Sequence, residues 1–388
     1  MTRPSRSALV LDGQKVKLRL QSARVEGDNL IHVDWLRFTV RLEEKPLHLD
    51  KFFPMHRGFD SSEMIDLRRW MRECGDHPDW KPKQQALYLA YQVVEALGDG
   101  FSFDYEPRKG HDFYAARISI LHEQKEVGWV GYGASSDGPR QHKQAQTLHV
   151  NLYGAACTFA QNGWRDQVAD LIHQRGGQIT RIDLALDCFD GREGGMEAIK
   201  QDYERGACNV GGKQPRCSLA GDWCNGKERS FYIGSRQAGK QTNVYEKGHQ
   251  LFGAESGEKW MRFELRYGNK LRHIDIDALT NPDSYFAGAS DWHCQVLAEQ
   301  KAAAPIPLPC KKKLSAETAR AAVSRVLNWF RTNAAPSLKV IFEHVSNEHL
   351  LEMFMDKSLP ASLNGYSQAQ ISAAFRQIYP VGACPNPA

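Results

Sequence analysis

Apolar and polar residues alternate in Asp34-Trp35-Leu36-Arg37-Phe38-Thr39-Val40, and strictly in Thr147–Tyr153, where Leu148, Val150 and Leu152 oppose Thr147, His149 and Asn151. A period of two predicts strands with one covered face. Shorter alternating runs at Phe101–Tyr105, Tyr114–Leu121 and Glu126–Gly131, with turn residues between them, predict an antiparallel meander. Further strands are expected at Arg181–Asp187, Phe231–Ser235, Thr242–Lys247 and Trp260–Tyr267. Three-to-four spacing predicts helix instead over 61–97, from Met64, Leu67, Trp70 and Met71 to a Gly98-Asp99-Gly100 stop, and over about 155–174.

Residues 1–30 are polar and weakly patterned, and residues 206–227, with Gly206, Gly211, Gly212, Pro215, Gly221 and Gly226, predict an extended loop or loose hairpin. The Ala/Pro-rich stretch Ala302–Pro309 reads as the centre of a linker over 301–313. Beyond it the chain is helically periodic, including Ala319, Ala322, Val326 and Trp329, which predicts a helical domain over 314–388. The expected architecture is α+β: a curved antiparallel sheet over 31–300 with helices on its apolar face, then a small C-terminal helical domain. No internal repeat is present.

Period-two geometry groups Arg181, Asp183, Ala185 and Asp187 on one face of their strand, Arg262, Glu264 and Arg266 on another, and Asn243, Tyr245 and Lys247 on a third. Set side by side, these strands would gather Asp183, Asp187, Glu264, Tyr245 and Lys247 into one patch. Two carboxylates about 4 Å apart repel by roughly 4 kcal/mol at an effective dielectric near 20, so the cluster needs cations or protonation. One solution is a divalent ion, and all-oxygen ligands favour Mg²⁺ or Mn²⁺. The other is cross-strand ion pairing with Arg181, Arg262 and Arg266. A tyrosine beside such a cluster suits phosphodiester chemistry: attack by its oxygen on phosphorus exchanges one diester for another, so the strand can be rejoined. Lys247 would lower the cost of the phenolate, about 4 kcal/mol at neutral pH.

Composition adds modest constraints. The net charge of +4 comes from 50 basic and 46 acidic residues and does not by itself announce a nucleic-acid partner. Locally, Lys227, Arg229, Arg236, Lys240 and Lys247 surround Phe231, Tyr232 and Tyr245, a mix suited to phosphate contact and base stacking, or to a solvated hairpin; Arg262 and Arg266 extend the candidate DNA contacts. Nine scattered cysteines lack a CxxC pair, and Cys188, Cys208, Cys217 and Cys224 match no standard zinc spacing, so reduced thiols are expected. No run approaches a membrane span and the start leads into no apolar signal core, giving an expected cytoplasmic location.

The ordered segments Asp34–Phe38, Leu148–Gly154, Arg181–Asp187, Tyr232–Arg236, Val244–Gly248 and Arg262–Arg266 resemble the replication initiation factor family, Rep_trans, over about residues 30–280. That family includes rolling-circle plasmid initiators, filamentous-phage replication proteins and related relaxases. The resemblance implies an enzyme that nicks one strand at an origin, stays joined to the 5′-phosphate through tyrosine and later religates. It implies Tyr245 as nucleophile in a Tyr-x-Lys motif with Lys247, and Asp183, Asp187 and Glu264 as holders of Mg²⁺ or Mn²⁺. Origin DNA, duplex and single-stranded, is the implied partner, with a homodimer left open. The alternative is a non-catalytic origin-binding or copy-control protein of the same fold.

Other nicking enzymes lack their parts here. None of the fourteen histidines forms the His-x-His of HUH relaxases, and no His-x-x-Arg of tyrosine recombinases occurs. His-Glu-x-x-His, Gly-x-Ser-x-Gly and a Walker A loop are also absent, so an initiator of this kind would borrow a host helicase.

Overall fold

The computed structural model describes residues 12–42, 80–300, 305–310, 315–346, 348–350, 352, 359–360, 362–363 and 366–378. The chain divides into two compact units, Met1–Lys311 and Lys312–Ala388.

The first unit is built on one antiparallel sheet of eleven strands. They are β1 (Ile31–Arg41), β2 (Phe101–Phe103), β3 (Arg108–Lys109), β4 (Tyr114–His122), β5 (Lys125–Ala134), β6 (Thr147–Leu152), β7 (Gln178–Cys188), β8 (Cys217–Asp222), β9 (Lys227–Ser235), β10 (Lys240–Glu246) and β11 (Met261–Gly268). The order across the sheet is β2-β4-β5-β6-β1-β7-β11-β10-β9-β8, with β3 pairing β4 at one side. It is an open α+β architecture, and β1 and β7 lie at its centre.

Alternation decides which face is dry. Leu36 and Phe38 of β1, Ile182, Leu184 and Leu186 of β7, Phe263 and Leu265 of β11 and Val244 of β10 are all buried on the apolar side. Each such side chain contributes about 1.5–3 kcal/mol relative to exposure. Helices cover this face with their own three-to-four stripes. In Trp80–Leu97 the stripe is Ala86, Leu89, Ala90, Val93 and Leu97; in Trp164–Gln174 it is Val168, Leu171 and Ile172. The helix Asp291–Ala298, not expected from the sequence, sets Trp292 against Phe263 at 5.8 Å between ring centroids. Asp283 accepts hydrogen bonds from Ile31 N (2.8 Å) and Leu30 N (3.2 Å), fixing the start of β1.

Two expectations change and one alternative is decided. The weakly patterned N-terminal segment contains a helix, Gly13–Glu26, capped by Asp12, whose Val16 and Leu20 pack on Trp260. Only two apolar residues one turn apart anchor it, too few to give a legible stripe. The helix expected over 155–174 is two, Gly154–Phe159 and Trp164–Gln174, broken where Gly163 takes φ +82°. Of the two forms expected for residues 206–227, loop or hairpin, the second is present from Cys217 onward, where β8 pairs with β9. The start of the 61–97 helix, with Met64, Leu67, Trp70 and Met71, lies outside the described residues, as does most of the expected linker.

In the second unit the helices Ser315–Trp329 and Gln368–Ile378 share a small core of Ala319, Ala322, Val323, Leu363, Ile371 and Ala374.

Candidate functional site

Register across β1, β7, β11 and β10 arranges the polar face in rows. Asp187 pairs with Arg262 and Arg262 with Tyr245; Ala185 pairs with Glu264 and Glu264 with Asn243; Trp35 pairs with Asp183, Asp183 with Arg266 and Arg266 with Gln241. Neighbouring strands lie about 4.8 Å apart, so side chains on adjacent rows touch. Tyr245, Lys247, Glu264, Arg262, Arg266, Asp34 and Trp35 line one cavity of about 310 Å³, walled also by Glu126, Tyr153, Val16 and Thr158.

Arg262 is the buried keystone of these rows, with only 2 % of its surface exposed. Its Nε and Nη2 donate to Asp187 Oδ1 (2.8 Å) and Oδ2 (3.0 Å), and its Nη1 donates to Asp34 Oδ1 (2.7 Å). Burial disfavours the guanidinium, yet Asp187 and Asp34 outweigh it and hold the arginine charged well above its ordinary range. The reciprocal effect holds both acids ionised: burial raises each, but Arg262 and His32 together pull Asp187 and Asp34 below the usual carboxylate range. Trp260 Nε1 also donates to Asp187 Oδ1 at 2.6 Å.

Sequence reading missed Asp34. The register slips between Val33 and Trp35, which pair with the consecutive residues Leu184 and Asp183, so Asp34 is the extra residue of a β-bulge. A bulge re-aims the side chain it carries, and nothing in the alternation marks its position. His32, next to the bulge, lies 3.4 Å from Asp34 Oδ1 and 3.2 Å from Asp187 Oδ2.

Asp183 is 1 % exposed and is held by Arg181 and by Arg266, whose Nε and Nη2 reach it at 3.1 and 2.9 Å. Arg181 also stacks over the Trp35 ring at 4.4 Å. Asp183→Asn leaves the Arg181 guanidinium without this counter-charge and Arg266 with Glu264 alone. It is expected to lower unfolding free energy by about 2–4 kcal/mol, and a urea midpoint within error of the parent would show that the pairs are energetically idle.

Tyr245 OH donates to Glu264 Oε2 at 3.4 Å, a long contact, while Arg266 Nη2 donates to Glu264 Oε1 at 3.2 Å. Burial, then Asp34 and Asp183, push Glu264 up to about 7. Burial also raises the Tyr245 hydroxyl well above 10, with Arg262 opposing and Glu264 adding to the rise. Lys247 is not on the strand as expected: β10 ends at Glu246 and a short helix runs Lys247–Phe252. The turn needs Gly248, whose N–H donates to Trp260 O at 2.9 Å and where a Cβ would meet Glu258 at 2.7 Å. The Lys247 ammonium nevertheless lies 5.7 Å from the Tyr245 ring centroid, and burial, with Arg262 nearby, lowers it to about 8.

The expected metal ligands Asp183, Asp187 and Glu264 do not fit a shared ion. The two aspartates spend their oxygens on arginines, Trp260 and His32, and no group of three or more His, Cys, Asp or Glu among the described residues is arranged to hold a metal. The cations that relieve the carboxylates are protein cations. Of the candidate DNA contacts, Arg262 and Arg266 are engaged in these pairs, Lys227 pairs with Glu255, and Arg229 is held by Glu246 (2.7 Å) and Glu197 (3.3 Å). Lys240 Nζ donates to Ala289 O at 2.6 Å, and Arg236 stands at the surface.

Fold and site together define an α+β protein whose open sheet presents a tyrosine beside an acid, a lysine and buried arginine–aspartate pairs. Residues 177–355 match the family model Rep_trans, described as a replication initiation factor. The matched span contains Asp183, Asp187, Tyr245, Lys247 and Glu264, and the match supports a role in replication initiation. A solved structure titled as a rolling circle replication initiator protein from Geobacillus stearothermophilus is similar at 16% identity and a TM-score of 0.40, over 66% of this chain and 81% of that one. No curated protein matches the chain. No helix among the described residues is long and apolar enough to cross a membrane.

Proposed function

We propose that this chain is a rolling-circle replication initiator that nicks one strand of origin DNA through Tyr245, holds the 5′-phosphate as a phosphotyrosine diester and religates by the reverse step. The observation that carries this is the Tyr245 hydroxyl, 3.4 Å from Glu264 and beside Lys247, in a cavity of about 310 Å³ within the family-matched span. A buried tyrosine with a raised pKa does not wait as phenolate, so its proton leaves as its oxygen attacks. Glu264, near 7, is matched to accept it. The Tyr245 oxygen–phosphorus bond forms, the bond to the 3′-oxygen breaks, and Lys247 supplies that oxygen with a proton and the phosphoryl group with positive charge. Religation runs the same transfers backwards, with Glu264 returning the proton to tyrosine.

The resemblance implies Mg²⁺ or Mn²⁺, but Asp183, Asp187 and Glu264 do not fit a shared ion. Nicking would act on an origin in the cytoplasm, with strand separation left to a host helicase.

The reactive form has Glu264 ionised and Lys247 protonated. With Glu264 near 7 and Lys247 near 8, kcat/KM is expected to rise with pH towards 7, peak between 7 and 8, and fall above 8. Lys247→Arg should remove the alkaline fall, and a profile unchanged by that substitution would take Lys247 out of the proton path. The direct test is a supercoiled origin plasmid: conversion to open circles, with protein attached to a labelled 5′ end on a denaturing gel, supports the nickase. Binding without conversion supports the non-catalytic alternative.

A further inference from the structure

A second and larger cavity, about 680 Å³, opens on the same polar face and shares Arg266 with the tyrosine site. Its size lies within the range of small-ligand pockets. Its lining is unusual in two respects. Six cationic side chains line it, Arg37, Lys143, Arg181, Arg236, Lys240 and Arg266; Arg181 and Arg266 pair with Asp183 and Arg37 with Asp112, the carboxylate in the lining. Two buried polar atoms in its wall, His149 Nε2 and Thr180 Oγ1, have no hydrogen-bond partner. An unmet buried polar atom costs about 1–3 kcal/mol, a cost that a bound ligand's donors and acceptors remove.

His149 is 6 % exposed and lies between two aromatic rings, Tyr114 stacked at 5.5 Å and Trp129 at 5.1 Å. Burial, and then Arg37, lower it to about 4, so at neutral pH the ring is uncharged, with one N–H and one lone pair. A neutral ring offers one donor and one acceptor, a pairing that a base edge can match on both sides. At the mouth, Asp112 and Phe113 take φ values of +52° and +74°, a backbone strain that keeps a 56 % exposed phenylalanine at the rim. Arg236 and Lys143 are exposed there, and Arg37 pairs with the half-exposed Asp112 at 3.0 Å.

We propose that this cavity receives one unpaired base of the strand on which Tyr245 acts, with His149 and Thr180 meeting the base edge and Lys143, Arg236 and Arg37 meeting the flanking phosphates. The inference rests on the nicking reading for the identity of the strand. Arg266 connects the two cavities, so a strand crossing the polar face passes from the scissile phosphate to the base site. Base-out binding selects single-stranded over paired DNA, because a paired base must first be unstacked.

The test uses full-length protein carrying Tyr245→Phe, which binds without cutting. A fluorescent oligothymidylate of about twenty residues is titrated by anisotropy, and a 5-iodouracil version is photocrosslinked and mapped by mass spectrometry. Lys143→Glu with Arg236→Glu is expected to weaken single-strand binding at least tenfold and to reduce the log–log salt slope by about 1.4, or about 0.7 per phosphate contact. His149→Phe keeps the stacked ring and should weaken binding several-fold with an unchanged melting temperature. Crosslinks should fall on residues 112–114 or 147–149. Crosslinks elsewhere, or a charge-reversed protein that binds as tightly as its parent, would overturn the assignment. So would full displacement of the oligonucleotide by millimolar thymidine monophosphate, which would give the cavity to a free nucleotide. The two readings fail separately: origin nicking by the unmutated protein with no effect of these variants removes only the base site, whereas groove-dependent binding without nicking removes only the nickase.

Discussion

Tyr245→Phe is expected to reduce origin nicking to the detection limit while leaving duplex binding and stability near those of the parent. The substitution removes one hydroxyl whose hydrogen bond to Glu264 is long at 3.4 Å, so the change in unfolding free energy should stay within about 1 kcal/mol. The rate at stake is on the order of a millionfold or more, because without the phenolic oxygen no covalent intermediate forms. The readouts are open-circle formation from supercoiled origin plasmid and label retained on the protein. Persistent nicking by the variant would assign the chemistry to another tyrosine, such as Tyr153, which also lines the cavity.

The second large effect is on the scaffold beneath the tyrosine. Arg262→Met keeps most of the side chain's bulk but leaves Asp187 and Asp34 buried without their shared cation. Breaking a buried pair from one side costs about 3–5 kcal/mol, which for a unit of this size is a fall in Tm on the order of 10 °C. The pH dependence has a definite sign. In the parent, Asp187 and Asp34 have folded-state pKa values below the unfolded value, so their contribution is present at neutral pH and is lost as pH falls through the folded values. In the variant the largest opposing charge is gone, and burial, opposed only by His32, by Trp260 at Asp187 and by Lys247 at Asp34, moves both up from their parent values. The deficit relative to the parent should therefore be widest near pH 7 and narrow as pH approaches about 4. Melting curves at the two pH values check this, and a deficit independent of pH would mean that packing rather than charge is lost.

Much of the site was legible because strand alternation is local. Placing Asp183 and Asp187 on one face, or Tyr245 opposite Val244, needs only the fact that successive side chains point to opposite sides, and the aliphatic run Ile182, Leu184, Leu186 says which side is dry. The order β7-β11-β10 and its register were not local. They decide that Arg262 stands between Asp187 and Tyr245, and that the acids meet arginines instead of converging on one another. Composition left Lys227 and Arg229 open between phosphate contacts and a solvated hairpin; only the fold shows Glu255 beside Lys227, and Glu246 and Glu197 beside Arg229.

By itself the sequence determined the fold class and the polar and apolar faces of each strand, since these follow from the spacing of residues a few positions apart; that Tyr245, Lys247 and Glu264 line one cavity depended on strand order. Only the tertiary structure decided the partners. A one-residue bulge turned Asp34 into the site, a turn at Gly248 took Lys247 off its strand while keeping its ammonium near the tyrosine, and strand register gave Asp183 and Asp187 to guanidinium groups. Each depends on contacts between segments far apart in the chain, and local periodicity carries no record of distant pairing.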